Sequence, residues 1–193
     1  RSVLRIPWYK QGDPSSSEAA LRKLKEHVAA NEKNISCFVF EPMLGEGGYR
    51  SAPREYFVPM LEFCRQKGIA VWVDEIQTFM RTGELFAFET LDIGQYVDIC
   101  TVAKTLQTGA LLYTEEYNPQ PGLVAGTFSG GSAAMAAGLE SLRMITEEGF
   151  LGPQGRIQQI HQKFVAMLNR LNETTCKGQL REAGGLGLMI AVT

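Results

Sequence analysis

Three charged residues in this sequence each close a short apolar run: Glu41 after Ser36 to Phe40, Asp74 after Ile69 to Val73, and Lys104 after Tyr96 to Ala103. Runs of this kind predict strands buried on both faces of a sheet. Taken singly, a charge in such a place is a solvated residue that ends a strand. Three at one edge mean more, because ligands of open α/β sheets bind beyond the carboxyl ends of the strands. A lysine at the rim of an apolar core can serve as a nucleophilic amine. That points to Schiff-base chemistry, either with a substrate carbonyl or with pyridoxal phosphate. Asp74 favours the second, since that cofactor needs a carboxylate to keep its pyridine nitrogen protonated. A phosphate needs backbone N–H groups and hydroxyls. Gly126-Thr127-Phe128-Ser129-Gly130-Gly131 offers both, just ahead of a helix predicted over Ser132 to Glu148. Alone, that stretch is a glycine-rich turn; beside a lysine and an aspartate at strand ends it becomes a phosphate contact.

The elements that must position these residues follow from patterning. Ser15 to Ala30 reads as a helix, with Ser15 and Glu18 forming a capping box and Leu21, Leu24 and Val28 at helical spacing. Pro53 to Lys67 carries Tyr56, Phe57, Met60, Leu61 and Cys64 on one helical face. Pro59 there predicts a kink or the true first turn, and Gly68 the stop. Leu111 to Tyr113 is a fourth strand. Ile157, Ile160, Phe164, Leu168 and Leu171 mark an amphipathic helix, and Gly187 to Val192 a last strand. Strands alternating with helices predict an α/β fold with a mainly parallel sheet.

Composition sets the outer bounds. The 193 residues are 45% hydrophobic and 21% charged, which excludes a disordered chain. A net charge of −2 gives no basic footprint for nucleic acid or a membrane surface, and no apolar run approaches a membrane span. Cys37, Cys64, Cys100 and Cys176 form no Cys-x-x-Cys pair and read as small buried hydrophobes of a reducing, cytoplasmic compartment. His27 and His161 lack metal-ligand partners at helical spacing and read as surface residues, so no metal site is expected. The chain opens on Arg1 and ends on an apolar run, so both ends read as cuts.

Five stretches in order carry a resemblance. They are Glu41-Pro42-Met43-Leu44-Gly45-Glu46-Gly47-Gly48-Tyr49; Asp74-Glu75-Ile76-Gln77-Thr78; Arg81-Thr82-Gly83 before Leu85-Phe86-Ala87-Phe88-Glu89; Ala103-Lys104; and Gly126-Thr127-Phe128. Together they resemble the class III, ω-type aminotransferases of the fold type I pyridoxal-phosphate enzymes, over most of Ile6 to Val192. The resemblance implies a three-layer αβα large domain over residues 1–149 and the start of a C-terminal domain over 150–193. It implies that Lys104 binds the cofactor covalently and shuttles a proton, and that Asp74 pairs with the pyridinium nitrogen. Ile76 packs on the ring, Gln77 reaches its phenolic oxygen, and Thr127 contacts the phosphate across a homodimer interface with shared sites. Glu46 lies near the substrate, and Glu41 orders the site. The implied reaction moves an amino group from an amine or amino-acid donor to a 2-oxo acid.

The sequence also departs from the family pattern. Thr78-Phe79-Met80 is one residue shorter than the usual glycine-containing stretch. Thr105-Leu106-Gln107-Thr108-Gly109 is less glycine-rich than the usual loop after the lysine, and Ala183-Gly184-Gly185 lacks an arginine. The chain corresponds to about the middle half of a family member. The resemblance therefore places the phosphate-cup turn, the stacking aromatic and a carboxylate-binding arginine outside it. Two other readings stand beside the aminotransferase: an aminomutase or another reaction on the same scaffold, and a folded but non-catalytic fragment. A Schiff-base aldolase would leave Asp74 and Thr127 unexplained.

Overall fold

The computed structural model describes residues 3–127, 129–181 and 183–192, so Phe128 of the glycine-rich stretch lies outside the described residues. In chain order, α1 (Ser15–Asn31) leads to β1 (Cys37–Phe40), a hairpin of β2 (Met43–Leu44) and β3 (Arg50–Ser51), and α2 (Arg54–Gln66). Next come β4 (Ala70–Asp74), the short α3 (Ala87–Thr90), β5 (Ile99–Val102) and β6 (Ala110–Tyr113). Then follow α4 (Ser132–Glu147), α5 (Arg156–Thr174) and a hairpin of β7 (Gly184–Leu186) and β8 (Met189–Ala191).

The central sheet runs β1-β4-β5-β6. β1 pairs with β4, and β4 with β5, in parallel; β6 returns antiparallel to β5. This is the mainly parallel α/β sheet that the alternation of elements predicts. Register puts Phe38 and Phe40 beside Val71 and Val73, and Val73 beside Cys100. Phe40, Val71 and Val73 share a buried cluster with Leu24 and Val28 of α1 and Tyr56, Phe57, Met60 and Leu61 of α2. Because α1 and α2 both join this cluster, the other row of β1 is not covered: Val39 is 54% exposed. The expected burial of β1 on both faces is thus corrected. A second cluster joins Phe79, Met80, Cys100, Val102 and Leu106, with Leu142 and Ile145 of α4 against it.

Local chemistry explains where the elements begin and end. The helix α1 starts where patterning puts it, but Ser15 is not its cap. Asp13 Oδ1 accepts from Ser15 N at 3.1 Å and from Ser15 Oγ, so the carboxylate two residues earlier holds the start. In α2, Pro53 is the cap and Pro59 sits inside the helix, so Pro59 does not mark a first turn. A proline there costs about 3 kcal/mol. Full burial of Phe57, Met60 and Leu61 is worth about 1.5–3 kcal/mol each, which offsets it. Gly68 stops the helix with φ of 63°, and Ile69 N donates back to Cys64 O at 3.0 Å.

The C-terminal strand is a hairpin rather than one run. Gly187 turns with φ of 54°, and the strands lie on either side of it. The two histidines are partly exposed, as read from the sequence, and each makes one bond to the main chain. A ring nitrogen of His161 (Nδ1) donates to Gly187 O at 2.7 Å, and His27 Nε2 donates to Arg5 O at 3.0 Å. Leu139 of α4, at 71%, and Ile160, Phe164, Met167 and Leu171 of α5 are exposed. Among the described residues, no helix is long and apolar enough to cross a membrane.

Candidate active site

The parallel register aligns the carboxyl ends of β1, β4 and β5. Asp74, the last residue of β4, stands beside Thr101 of β5, and Glu75 N donates to Thr101 O at 2.9 Å. Lys104 follows three residues after Thr101. Glu41 follows Phe40 at the matching end of β1. The three charges predicted for one edge of the sheet do share that edge.

Glu41 does structural work there: its Oε2 accepts from Gly45 N at 2.8 Å, folding the glycine-rich loop back over the strand end. That loop is the turn of the β2–β3 hairpin, which apolar patterning alone did not reveal. It presents Glu46, whose Oε1 accepts from Gln77 Nε2 at 3.1 Å. Gln77 and Ile76 lie just past Asp74 in a turn, and Asp74 Oδ1 accepts from Ile76 N at 3.0 Å. The structure therefore brings Asp74, Ile76, Gln77 and Glu46 into one bonded group next to the Lys104 turn. It does not bring Thr127 to them. Thr127 is exposed on a separate turn, and among the described residues no hydrogen bond joins it to Asp74 or Lys104.

Lys104 opens a 3-10 turn, Lys104–Leu106, with φ of 51°. A non-glycine residue in the left-handed region costs about 1–3 kcal/mol and persists only where its surroundings hold it. Leu106 anchors the turn in the second cluster. Helix α4 presses on it through Gly138, where a Cβ would stand 2.7 Å from Leu106 O. Gly138→Ala must therefore push the helix or the turn away, and is expected to destabilise the protein by about 1–3 kcal/mol in urea unfolding. An unchanged midpoint would show that the contact carries no weight.

Met80, in the shortened stretch after Gln77, takes φ of 62° while fully buried. The sequence keeps a left-handed turn there although it has no glycine.

Sequence reasoning noted Glu75 within a motif but gave it no role. Its side chain is fully buried. Thr78 Oγ1 donates to Oε2, and Phe88 N donates to Oε1 at 2.9 Å, tying the Asp74–Thr78 turn to α3. Burial pushes the Glu75 carboxyl up, and the bonds from Thr78 and Phe88 only partly oppose this. A raised folded value means stability is full below the ordinary carboxylate range and falls as pH rises through the folded value. Glu75→Gln carries no charge: its carbonyl oxygen can still accept from Phe88 N, and its Nε2 can donate to Thr78 Oγ1 in place of the present bond. It should flatten this decline, read as melting temperature between about pH 4 and 8. Parallel profiles for the two proteins would contradict it.

One oxygen of Asp74, Oδ2, and the amine of Lys104 have no hydrogen-bond or ion-pair partner among the described residues. A carboxylate with a spare oxygen, a spare amine and a side-chain amide at adjacent strand ends fit the ring nitrogen, aldehyde and phenolic oxygen of pyridoxal phosphate. Among the described residues no group of three His, Cys, Asp or Glu could hold a metal ion.

Residues 3–193 match the family described as aminotransferase class-III. The [LysW]-aminoadipate semialdehyde transaminase of Deinococcus radiodurans is 35% identical over 176 residues, 88% of this chain and 39% of that protein. The acetylornithine aminotransferase of Lactococcus lactis is 38% identical over 175 residues, 86% of this chain and 44% of its own. Among solved structures, a lysine aminotransferase from M. tuberculosis superposes with a TM-score of 0.86 at 27% identity. That match covers 98% of this chain and 46% of the other. The chain spans less than half the length of these relatives.

Proposed function

Since the chain belongs to the class III aminotransferases, a family of pyridoxal-phosphate enzymes of the fold type I class, we propose that it carries the cofactor-binding core of an aminotransferase. The reaction moves an amino group from an amine or amino-acid donor to a 2-oxo acid. The observation that carries this reading is the pairing of Asp74, with its spare carboxylate oxygen, and Lys104, held on a strained turn at the adjacent strand end.

In this reading Lys104 holds the cofactor covalently and Asp74 faces its ring nitrogen. Ile76 would pack on the ring, Gln77 would hold the phenolic oxygen, and Glu46 would lie near the substrate. When bound, pyridoxal phosphate acts as an electron sink for the bonds made and broken at the substrate carbon. Asp74 keeps the ring nitrogen protonated by placing a negative charge beside it. Lys104 Nζ would take and return the proton at the substrate carbon. Glu41 keeps the glycine-rich loop folded so that Glu46 stays beside Gln77.

Residues 150–193 begin a second domain in this reading. The protein works as a homodimer, with Thr127 reaching the phosphate in the partner's site. The exposed apolar residues Leu112, Tyr113, Leu123 and Val124 support such an assembly. The absence of clustered positive charge and the unpaired cysteines support a cytoplasmic enzyme with no nucleic-acid partner. The relatives' names support a donor among ornithine derivatives or related amino acids.

The test is capture of the cofactor by the protein at its full encoded length. Incubation with pyridoxal phosphate and borohydride should leave a stable adduct on the peptide bearing Lys104. An adduct on another lysine, or none, would overturn the assignment.

A further inference from the structure

Arg81 touches three segments around the candidate site. Its Nε donates to Thr105 Oγ1 at 2.7 Å, on the turn that carries Lys104. Its Nη1 donates to the Gln77 carbonyl at 3.0 Å, at the end of the turn that carries Asp74 and Ile76. Its own carbonyl accepts from Leu188 N at 2.8 Å, in the C-terminal hairpin. There Gly187 approaches so closely that a Cβ would stand 2.1 Å from the same oxygen. Among the described residues no carboxylate forms an ion pair with Arg81. Its charge is spread over neutral acceptors, and its planar fork suits holding two of them at a fixed spacing.

The segments it joins need holding. Both Lys104 and Met80 sit in the left-handed region, one on each side of the Arg81 bonds. Neither turn has a strand ladder to fix it, because β4 ends at Asp74 and β5 at Val102.

We propose that Arg81 is a positioning residue whose guanidinium locks the Lys104 turn to the Asp74–Gln77 turn, while the β7–β8 hairpin clamps its backbone. The lysine amine, the aspartate and the glutamine then keep one geometry. A shift of the C-terminal hairpin would reach Lys104 through Arg81 and Thr105. The role toward the cofactor rests on the functional reading above; the locking of the two turns does not.

Thr105→Val tests this mildly, since it removes the acceptor and leaves Arg81 and the volume in place. Arg81→Met removes the fork, and Arg81→Lys keeps the charge without it. The first readout is amide hydrogen exchange at Leu106 and Gln107, whose N–H groups donate to Ala103 O and Lys104 O. Both should exchange about tenfold or more faster in Thr105→Val and Arg81→Met, with no further gain in the double variant and no rescue by Arg81→Lys. Met60 and Leu61 in α2 should be unchanged. The second readout is borohydride capture of pyridoxal phosphate at Lys104, which should slow in the same variants. Unchanged exchange at Leu106 and Gln107, or equal acceleration throughout α2, would overturn the locking role. Should Arg81→Met fail to fold, Thr105→Val decides alone. If the unsubstituted protein captures no pyridoxal phosphate at Lys104, the functional reading falls, and the exchange pattern still decides the lock.

Discussion

Lys104→Ala, made in the protein at its full encoded length, is expected to abolish borohydride-stable capture of pyridoxal phosphate and nearly all turnover. On the proposed reading, two functions would be lost with one amine. Positioned proton transfer alone contributes roughly 10²–10⁴-fold, and loss of the covalent anchor adds to that. The substitution should cost little stability, because the Lys104 side chain is exposed and bonds to nothing else among the described residues. Alanine also tolerates φ of 51° about as poorly as lysine does, so the turn should persist. The assay pairs single-turnover amino transfer with the melting temperature. Turnover within tenfold of the unsubstituted protein would remove Lys104 from the mechanism.

The second large effect is expected at Asp74. Asp74→Asn keeps an oxygen that can accept from Ile76 N, so the turn should stay folded. What is lost is the negative charge. A charge-assisted hydrogen bond is worth about 1.5–3 kcal/mol, which bounds the loss of cofactor affinity at roughly 10–150-fold. Turnover should fall by more, because the charge is needed most when electron density moves toward the ring nitrogen. Cofactor titration and turnover on the same variant separate the two. A fall of equal size in both would make Asp74 a binding residue and nothing more.

The edge of the sheet was legible because hydrophobic runs and their terminating charges are local features. Ser36 to Phe40 and Ile69 to Val73 read as strands whatever surrounds them, and the parallel register then aligns their ends. What was not legible depends on contacts between distant residues. Arg81 and Thr105 lie 24 positions apart, and nothing in either neighbourhood announces the bond between them. Burial of Glu75 is invisible for a similar reason: the atoms that enclose it come from α3 and β5 as much as from its own turn. The capping box at Ser15 failed on competition, since Asp13 is the stronger acceptor two residues earlier. Val39 failed because a run of apolar residues shows that a strand is apolar, not that both its faces are covered.

The order of the sheet also governs how the chain can reach it. β5 and β6 are joined by a short connection and pair antiparallel, so they can meet early, as can the turns of α2. β1 and β4 are different: Phe38 must find Val71 across a connection that includes the whole of α2. Closing such a loop costs entropy before any pairing repays it, which makes parallel sheets slow to assemble. Substitutions in the β1–β4 contact, such as Val71→Ala, should then slow refolding more than they speed unfolding, if that contact belongs to the rate-limiting nucleus. Until it forms, the β1-facing edge of β4, with Val71 and Val73 on it, stays open to whatever else is in solution. Refolding yield should therefore fall as protein concentration rises, even where the folded state is stable.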